Sequence, residues 1–243
     1  MNTRESHPHL EIVFPVRNEE RRLEAGIVKT VDYLKSIGFQ NYVLTIADND
    51  STDLTPQIAQ KLVRQNNRIS YLHIAQKGVG IAVRSAFEAS TADIVGYMDI
   101  DLATDLRHLQ EVLTLFECTE KLDFVNGSRW AKGYWSTGRP LNRVITSCGL
   151  TLVLKYSLGM RASDAICGFK FFRRECALQL MRLSNQSDNG WFFIIEMLIR
   201  AERGEYQIHE LPVGWKDDGN SSVNSLATTK YYLRKIKELR STL

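Results

Sequence analysis

Short apolar runs alternate with longer helical patterns over the first half of the chain. From residue 10 to about 127, runs rich in β-branched residues are separated by segments with the periodicity of amphipathic helices. The predicted strands are 11–16, 42–47, 69–75 and 94–98. The predicted helices include one that opens with the polar cluster 17–20 and runs to about residue 37, one capped by Ser51 or Thr52 with Pro56 in its first turn, and one over 80–89. Strands that alternate with helices predict a parallel sheet built from βαβ units.

The pattern becomes less regular after Asn126. Gly127-Ser128-Arg129 is followed by an aromatic, glycine-containing loop that runs through Gly138. Beyond this loop the predicted helices are 141–158, 175–183 and 190–203, and the predicted strands are 168–172 and 206–209. Since the chain has no internal repeat, low-complexity segment or linker, residues 1–243 are predicted to form a single domain.

Polar and acidic residues follow three of the predicted strands. In open α/β sheets, ligands bind outside the carboxyl ends of the strands, so these residues are expected to be neighbours. Asp99 and Asp101 follow the strand over 94–98, and two carboxylates at this spacing can bind one hard divalent cation that keeps positions open for diphosphate oxygens. The alternative is a solvated turn, because this two-acid pattern often occurs by chance.

Three residues near the ends of the first two strands are candidates for contacts with a nucleoside. Glu19, Asp48 and Asn49 could bind ribose hydroxyls and base edges, or they could simply favour a helix N-terminus and cap a helix. The segment Lys77-Gly78-Val79-Gly80 could bring backbone and one cation to a phosphate. It lacks the third glycine of a dinucleotide-binding fingerprint and follows the third strand rather than the first.

Arginines and aromatic residues are concentrated between residues 129 and 143. Arginine binds phosphate through two parallel hydrogen bonds, and aromatic residues suit an interface that is partly wet and partly lipid. These arginines and aromatic residues are Arg129, Arg139, Arg143, Trp130, Tyr134 and Trp135. The alternative for this segment is a solvated basic loop.

Asp164 is a lone acid that could be a cap or an ion-pair partner.

Composition and charge exclude several classes of protein. With 44% hydrophobic and 24% charged residues over 243 positions, the chain is typical of a globular protein, and a net charge of +3 is too small to indicate a nucleic-acid partner. No apolar stretch is long enough to span a membrane and no secretory signal opens the chain, so a cytosolic protein is expected, although membrane spans could follow Leu243 in a longer chain. The four cysteines have no metal-binding spacing and are expected to be buried apolar residues in a reducing compartment.

Seven short segments come in the order found in one enzyme family. On these segments the whole chain resembles the family 2 inverting glycosyltransferases, most closely the polyprenyl (dolichyl) phosphate mannosyl- and glucosyltransferase branch. The later segments, together with 140–147, select that branch. The resemblance implies a GT-A fold, a Rossmann-like three-layer αβα architecture with a mixed, mainly parallel central sheet. The segments are FPVRNEE (14–20), ADNDSTD (47–53), KGVG (77–80), MDIDL (98–102), GSR (127–129), DAICGF (164–169) and HELPV (209–213).

The resemblance also implies roles for individual residues. The expected donor-binding residues are Pro15, Arg17, Glu19, Asp48, Asn49, Lys77, Asp99 and Lys216. Asp99 and Asp101 are the expected ligands of Mg²⁺ or Mn²⁺ on the diphosphate of the donor. Arg129, Arg143 and Ser147 match positions that bind the acceptor phosphate. The residues expected to take part in catalysis are Asp101, Asp164, Arg129 and Arg143.

Four positions depart from the usual pattern of the family. Arg17 stands where Tyr is usual, Asn49 where Asp is usual, Ala103 where some members have a Gln metal ligand, and Ser222 where Lys or Arg is common. UDP and GDP therefore both stay open, as do glucose and mannose. A phosphate monoester is largely deprotonated at neutral pH, so its attack on the anomeric carbon needs a cationic cradle rather than a strong base.

Two segments suggest contact with a membrane. The predicted helix over 144–158 is largely apolar, and 226–239 places Leu226, Leu233, Ile236 and Leu239 at helical spacing among basic residues, which suits either core packing or an anionic membrane surface. We therefore expect a peripheral protein on the cytoplasmic face of a membrane, or one with a membrane-spanning partner. The alternatives are a family 2 enzyme that acts on a soluble saccharide and a non-catalytic protein that binds a nucleotide sugar.

Overall fold

A computed structural model defines the fold over residues 8–133, 135–138, 141–216 and 225–243, with side chains described except at 141–143 and 225–229. The strands in these ranges are β1 (Leu10–Val16), β2 (Tyr42–Asn49), β3 (Ile69–Ile74), β4 (Ile94–Met98), β5 (Phe124–Ser128), β6 (Trp135–Thr137), β7 (Phe169–Arg173), β8 (Ile208–Pro212) and β9 (Gly214–Lys216). The helices are α1 (Leu23–Ser36), α2 (Thr55–Gln65), α3 (Val79–Ala89), α4 (His108–Cys118), α5 (Leu141–Leu158), α6 (Arg174–Leu183), α7 (Phe192–Arg203) and α8 (Ser225–Arg240).

The central sheet is mixed and mainly parallel, as predicted. Its strand order is β3-β2-β1-β4-β7-β5-β8, and β7 runs antiparallel between β4 and β5. The carboxyl ends of β1, β2, β4, β5 and β8 therefore meet at one edge of the sheet, together with the start of β7. We call this the carboxyl edge. Gly96 allows β7 to pair with β4, because a Cβ at Gly96 would lie 2.0 Å from the ring of Phe171.

Helices cover both faces of the sheet and form the predicted three layers. Residues of β1 alternate between two apolar clusters: Val13 faces one cluster, whereas Ile12 and Phe14 face the other. The first cluster includes residues of α3, α5, α6, α7 and α8, and the second includes residues of α1, α2 and α4. The strands are therefore buried on both faces, which explains their nearly continuous apolar sequences.

Several local predictions need correction. Neither Ser51 nor Thr52 caps α2; the helix begins at Thr55, whose backbone N–H donates to Asp53 Oδ1 at 2.9 Å, while Pro56 lies in the first turn as expected. The strand expected over 206–209 is instead β8, which runs from Ile208 to Pro212. Burial of all four cysteines was also expected, but Cys118 is exposed and Cys148 is partly exposed.

Four elements of the structure had no counterpart in the prediction. Helix α4 buries Leu109, Val112 and Phe116, whose helical spacing is visible in the sequence. Strand β5 was missed because it ends in Asn126, Gly127 and Ser128, which are polar or small but fully buried. Strands β6 and β9 form a separate two-stranded sheet of three-residue strands, too short to show a periodicity.

Candidate active site

The loops that follow β1, β2 and β4 each contain a non-glycine residue in the left-handed region. These residues are Asn18 (φ 57°), Asp50 (φ 68°) and Leu102 (φ 52°). Such conformations are costly and concentrate at functional sites. The first two loops also hold each other: Asn18 N–H donates to Ser51 Oγ at 2.9 Å, and Thr52 N–H donates to Asn18 Oδ1 at 2.8 Å. The carboxyl edge is therefore built from loops fixed in unusual conformations.

The end of β1 and the loop that follows it carry three of the predicted donor-binding residues. Pro15 pairs with Ala47 of β2, and Arg17 follows β1 directly. Glu19 is anchored through its backbone N–H, which donates to Thr55 Oγ1 at 2.8 Å. Within the described part of the chain, Arg17 Nε is buried and has no hydrogen-bond partner. A buried donor of this kind is unusual in a folded protein and is consistent with a ligand at this position.

Asp48 and Asn49 are the last two residues of β2, and both are buried. Asn49 donates from Nδ2 to the carbonyl oxygen of Val16 at 2.7 Å and accepts from Gly78 N–H at 3.1 Å through Oδ1. Asp48 accepts from the hydroxyl of Tyr71 at 2.8 Å. Burial and Asp48 together raise the pKa of Tyr71. Asn49 thus ties the end of β1 to the loop before α3, and a direct role of either residue in nucleotide binding stays a prediction.

The loop before α3 approaches the segment before α7 very closely. Gly78 has φ 145°, and a Cβ there would lie 2.1 Å from the carbonyl oxygen of Asn189. That carbonyl oxygen also accepts from Gly80 N–H at 2.8 Å, which satisfies one donor of the helix N-terminus. The glycines of this segment therefore fit a tight contact within the protein. Lys77 precedes Gly78 in this loop, which Asn49 ties to the end of β1, and the side chain of Lys77 is exposed.

Asp99 and Asp101 lie at the centre of the carboxyl edge, directly after β4. A Cβ at Gly168 would lie 2.1 Å from Asp99 Oδ2, so the residue just before β7 is glycine where the carboxylate needs space. Burial and then the Asp101 carboxylate raise the pKa of Asp99 to about 7. Asp101 Oδ1 accepts from Ala103 N–H at 3.0 Å, so residue 103 contributes a backbone group to this turn.

The acid pair fits a divalent cation that takes few ligands from the protein. Among the described residues, no group of three or more His, Cys, Asp or Glu side chains could enclose a metal ion. Mg²⁺ characteristically binds one or two carboxylates and completes its shell with water and substrate phosphates. Burial and repulsion from Asp101 raise the pKa of Asp99, and a bound cation would relieve the repulsion.

Strand β9 brings Lys216 beside the turn that carries Asp101. Thr104 and Trp215 form a bridge, and Lys216 N–H donates to the carbonyl oxygen of Ala103 at 2.8 Å. The side chain of Lys216 is exposed. Although the two segments are more than 100 residues apart in sequence, the predicted donor-phosphate lysine therefore lies next to the acid pair.

Arg129 and Asp164 form a buried ion pair at the same edge. Arg129 donates to the Asp164 carboxylate from its backbone N–H (3.1 Å), from Nε (2.7 Å) and from Nη2 (3.0 Å). Asp164 is completely buried, Arg129 is 7% exposed, and the guanidinium carbon lies 5.5 Å from the centre of the Trp215 ring. Burial alone would raise the pKa of Asp164, but the charge and hydrogen bonds of Arg129 lower it to about 2. Asp164 is thus an ion-pair partner that also accepts from Ile166 N–H at 2.9 Å, and its expected part in catalysis stays a prediction.

Helix α5 carries the other predicted acceptor-phosphate residues. Ser147 lies on its buried face, one turn after Arg143, and its Oγ donates to the carbonyl oxygen of Val144 at 3.1 Å. The side chain of Arg143 lies outside the described residues. So do Arg139, Tyr134 and Ser222, for which the expectations from sequence are not tested.

The opposite face of α5 is apolar and exposed. Ile145, Leu152 and Tyr156 lie on one side of the helix and are 63%, 53% and 88% exposed. We call these three residues the α5 stripe. Helix α8 packs against α5. No helix in the described ranges is long and apolar enough to cross a membrane.

Helix α8 divides its residues between the core and solvent. Ile236 and Leu239 are buried, as core packing predicts, whereas Leu233 is 51% exposed and therefore does not belong to the buried stripe. The side chain of Leu226 lies outside the described residues. Basic residues occupy much of the exposed face of α8, namely Lys230, Arg234, Lys237 and Arg240.

Sequence reasoning missed three polar residues behind Asp164. Lys170 and Asn126 are completely buried, and Lys170 Nζ donates to Asn126 Oδ1. Glu210 on β8 accepts from the backbone N–H of Ser163, the residue before Asp164. The available signal was a lysine inside the otherwise apolar run Gly168-Phe169-Lys170-Phe171-Phe172, because a buried lysine requires a compensating partner.

Comparisons with known proteins agree with the predicted family. The model of glycosyl transferase family 2 matches residues 11–180. The glycosyltransferase AglD of Haloferax volcanii is 35% identical over 217 residues, which cover 88% of this chain but only 34% of AglD. The chain thus spans about a third of that relative. The dolichyl-phosphate beta-glucosyltransferase of Saccharomyces cerevisiae is 28% identical over 243 residues, covering 91% of this chain and 71% of the relative.

Solved structures confirm the fold. Glucosyl-3-phosphoglycerate synthase from Mycobacterium tuberculosis, crystallised with UDP, superposes with a TM-score of 0.71 at 18% identity and covers 96% of this chain and 80% of its own. The same enzyme crystallised with Mn²⁺ and UDP-glucose gives a TM-score of 0.68. The predicted GT-A architecture is therefore confirmed. On the extent of the family match, this chain belongs to glycosyl transferase family 2.

Proposed function

We propose that this chain transfers a hexose from a nucleotide sugar to a polyprenyl phosphate, with inversion at the anomeric carbon. The observation that carries the proposal is that an acid pair (Asp99 and Asp101) and a buried arginine (Arg129) lie at the same edge of the sheet. The first suits a cation on a diphosphate leaving group, and the second suits an anionic acceptor. Relatives named dolichyl-phosphate beta-glucosyltransferase support this acceptor class and favour glucose over mannose.

Asp99 and Asp101 would hold Mg²⁺ or Mn²⁺. When bound, the cation would supply positive charge against the negative charge that develops on the departing nucleoside diphosphate. Lys216, beside the same turn, and Lys77, beside the loop tied by Asn49, would add charge from the protein. Crystals of glucosyl-3-phosphoglycerate synthase with Mn²⁺ and UDP-glucose support this arrangement by analogy of fold.

The nucleoside would lie along the loop after β1. Pro15 lies near the end of β1, and Arg17 and Glu19 lie in this loop. The buried Nε of Arg17 supplies a donor for a ribose or base oxygen. Asp48 and Asn49 would act by holding the surrounding loops in place, since their side chains already bind protein groups. UDP-glucose is the first donor to test and GDP-mannose is the second.

Arg129, Arg143 and Ser147 would bind the acceptor phosphate. Asp164 engages Nε and Nη2 of Arg129, which fixes the plane of the guanidinium while Nη1 is not used by this pair. A pKa of about 2 makes Asp164 a poor proton acceptor, so it orients Arg129 rather than acting as a base. A phosphate acceptor needs no base, whereas a sugar hydroxyl would need one. This difference favours the phosphate over a soluble saccharide acceptor.

A polyprenyl acceptor also requires access to a bilayer. The α5 stripe offers exposed apolar area, and the exposed basic face of α8 matches the negative surface of a cytoplasmic leaflet. We therefore place the chain as a peripheral protein on the cytoplasmic face of a membrane, by its own surface or beside a membrane-spanning partner.

The test is transfer of labelled sugar to lipid. Purified chain is incubated with vesicles containing polyprenyl phosphate and radiolabelled UDP-glucose or GDP-mannose, with Mg²⁺, Mn²⁺ or a chelator. We expect metal-dependent labelled lipid that is lost in Asp101→Ala and Arg143→Ala. The exposed control variants Asp32→Ala and Arg64→Ala should retain it.

The outcome also separates the two alternatives. Transfer to a soluble saccharide with no lipid product would favour the soluble-acceptor enzyme. Donor binding without any transfer would favour the non-catalytic protein.

A further inference from the structure

Three polar side chains lie side by side across the sheet, one from each of three neighbouring strands. Asn126 on β5 is directly opposite Lys170 on β7 and directly opposite Glu210 on β8. Residues in register on neighbouring strands point to the same face of a sheet. We call these three residues the polar row.

The polar row holds the main chain at Ser163 and Asp164, a few residues before β7. Asn126 Nδ2 donates to the backbone carbonyl oxygen of Asp164 at 3.0 Å, and its Oδ1 accepts from Lys170 Nζ. Glu210 Oε1 accepts from Ser163 N–H at 2.7 Å and lies 3.5 Å from Asn126 Nδ2. Two consecutive residues, Ser163 and Asp164, are therefore fixed by groups that arise from the sheet itself.

Burial of the Lys170 side chain at this position costs free energy. It is completely buried, and burial lowers the pKa of its amine. A buried cation is tolerated when it is hydrogen-bonded and has opposite charges nearby, which Asn126, Asp164 and Glu210 provide. Since Lys170 has no exposed surface and its amine binds Asn126, it does not reach substrate and can act only through other residues.

We propose that the polar row is a positioning device for the acceptor-phosphate arginine. Lys170 fixes the amide of Asn126, Asn126 fixes the backbone of Asp164, and the Asp164 carboxylate fixes the guanidinium of Arg129. The inference rests on the proposed function, because it assigns to Arg129 the phosphate of the acceptor. It adds that residues on β5, β7 and β8 set the orientation of the Arg129 guanidinium.

The test compares two substitutions with matched controls in the transfer assay. In Lys170→Met the apolar part of the side chain is retained, but Asn126 Oδ1 loses its donor. We expect the KM for polyprenyl phosphate to rise by about tenfold or more, since small misplacements of a binding group are costly. The dissociation constant of the nucleotide donor, measured by calorimetry, should stay at the wild-type value. Lys121→Met makes the same change at an exposed lysine and should match wild type throughout.

Glu210 gives an independent pair of variants that does not alter a fully buried charge. Glu210→Ala removes the acceptor for Ser163 N–H, whereas Glu210→Gln keeps an Oε1 acceptor and removes only the charge. A positioning role predicts a raised acceptor KM in the alanine variant and substantial recovery in the glutamine variant. This pair decides the matter if Lys170→Met fails to fold.

The possible failures are distinguishable. Wild-type turnover with an unchanged acceptor KM in both Lys170→Met and Glu210→Ala would overturn the role of the polar row alone. Equal defects in acceptor KM and donor binding would also overturn it, because a general structural role affects both sites. A wild-type chain that binds donor but neither binds nor glycosylates geranyl phosphate, a short polyprenyl phosphate, would refute the proposed function and the positioning role with it.

Discussion

Replacement of Asp164 by Asn tests how the proposed acceptor side of the site is built. The substitution keeps the shape of the side chain but removes the negative charge opposite Arg129. It also places an amide NH₂ where the carboxylate now accepts from Arg129 or from Ile166 N–H. Because Arg129 is 93% buried, water cannot easily replace the lost partner.

The magnitude follows from the pKa of Asp164. A fall from 3.8 to about 2 corresponds to about 2 kcal/mol of stability contributed by the ionised carboxylate at neutral pH. Loss of one partner from a buried ion pair typically costs about 3–5 kcal/mol, because an uncompensated charge stays behind. We therefore expect Asp164→Asn to lower the free energy of unfolding by at least about 2 kcal/mol at pH 7.

The pH dependence has a definite sign. A carboxyl group whose pKa is lowered by folding stabilises the protein above its unfolded pKa, and this stabilisation is lost as pH falls through the folded pKa. For Asp164 the window lies between about pH 5 and pH 2, and roughly half of the contribution is gone at pH 3. The stability difference between wild type and the variant should therefore shrink over this range.

Urea unfolding at pH 7, 5 and 3 measures the effect. Asp105→Asn is the matched control, since Asp105 also binds an arginine, Arg107, through two nitrogens, but this arginine is exposed to solvent. Solvent screening makes such a pair weak, so the control should lose much less stability. A loss of under about 1 kcal/mol in Asp164→Asn at pH 7, or a difference from wild type that does not shrink by pH 3, would refute this account of the pair.

Three further substitutions probe the rest of the site. Gly168→Ala would push a Cβ to within 2.1 Å of Asp99 Oδ2, so we expect activity to fall more than stability; metal-dependent turnover beside a thermal melt measures this. Asn49→Asp would lose the hydrogen bond to the carbonyl oxygen of Val16, and we expect a loss of about 1–3 kcal/mol in urea unfolding. Tyr156→Asp would put a charge in the α5 stripe, so vesicle flotation should show weaker binding with nucleotide affinity unchanged.

The sequence predicts where the residues proposed to bind the donor lie, because these residues are local to strand ends. Asp99 and Asp101 directly follow an apolar strand, residues 17–19 directly follow β1, and Asp48 and Asn49 are the last two residues of β2. Parallel strands bring such ends together whatever the details of packing. The antiparallel insertion of β7 is invisible at this level, since it depends on Gly96 making space for Phe171 across the sheet.

The proposed acceptor side depends on partners that are far apart in sequence. Arg129 and Asp164 are 35 positions apart, and Asn126 and Lys170 are 44 apart, so no local period links either pair. A lone acid in a loop reads equally well as a cap or as an ion-pair partner. Only the register of β5 on β7 places Lys170 opposite Asn126, whose amide binds both the lysine and the backbone of Asp164.

The two proposed sides of the site therefore differ in whether their buried carboxylate already has a counter-charge. Asp164 already has its counter-charge in Arg129, whereas burial and then repulsion from Asp101 raise the pKa of Asp99. A divalent cation should accordingly be needed for tight binding of the nucleotide sugar and not for binding of the acceptor phosphate. Calorimetric titrations of UDP-glucose and of geranyl phosphate, each with Mg²⁺ and with a chelator, measure both affinities. Equal metal dependence of the two would show that the acceptor phosphate also contacts the cation, and that Arg129 does not provide a separate site.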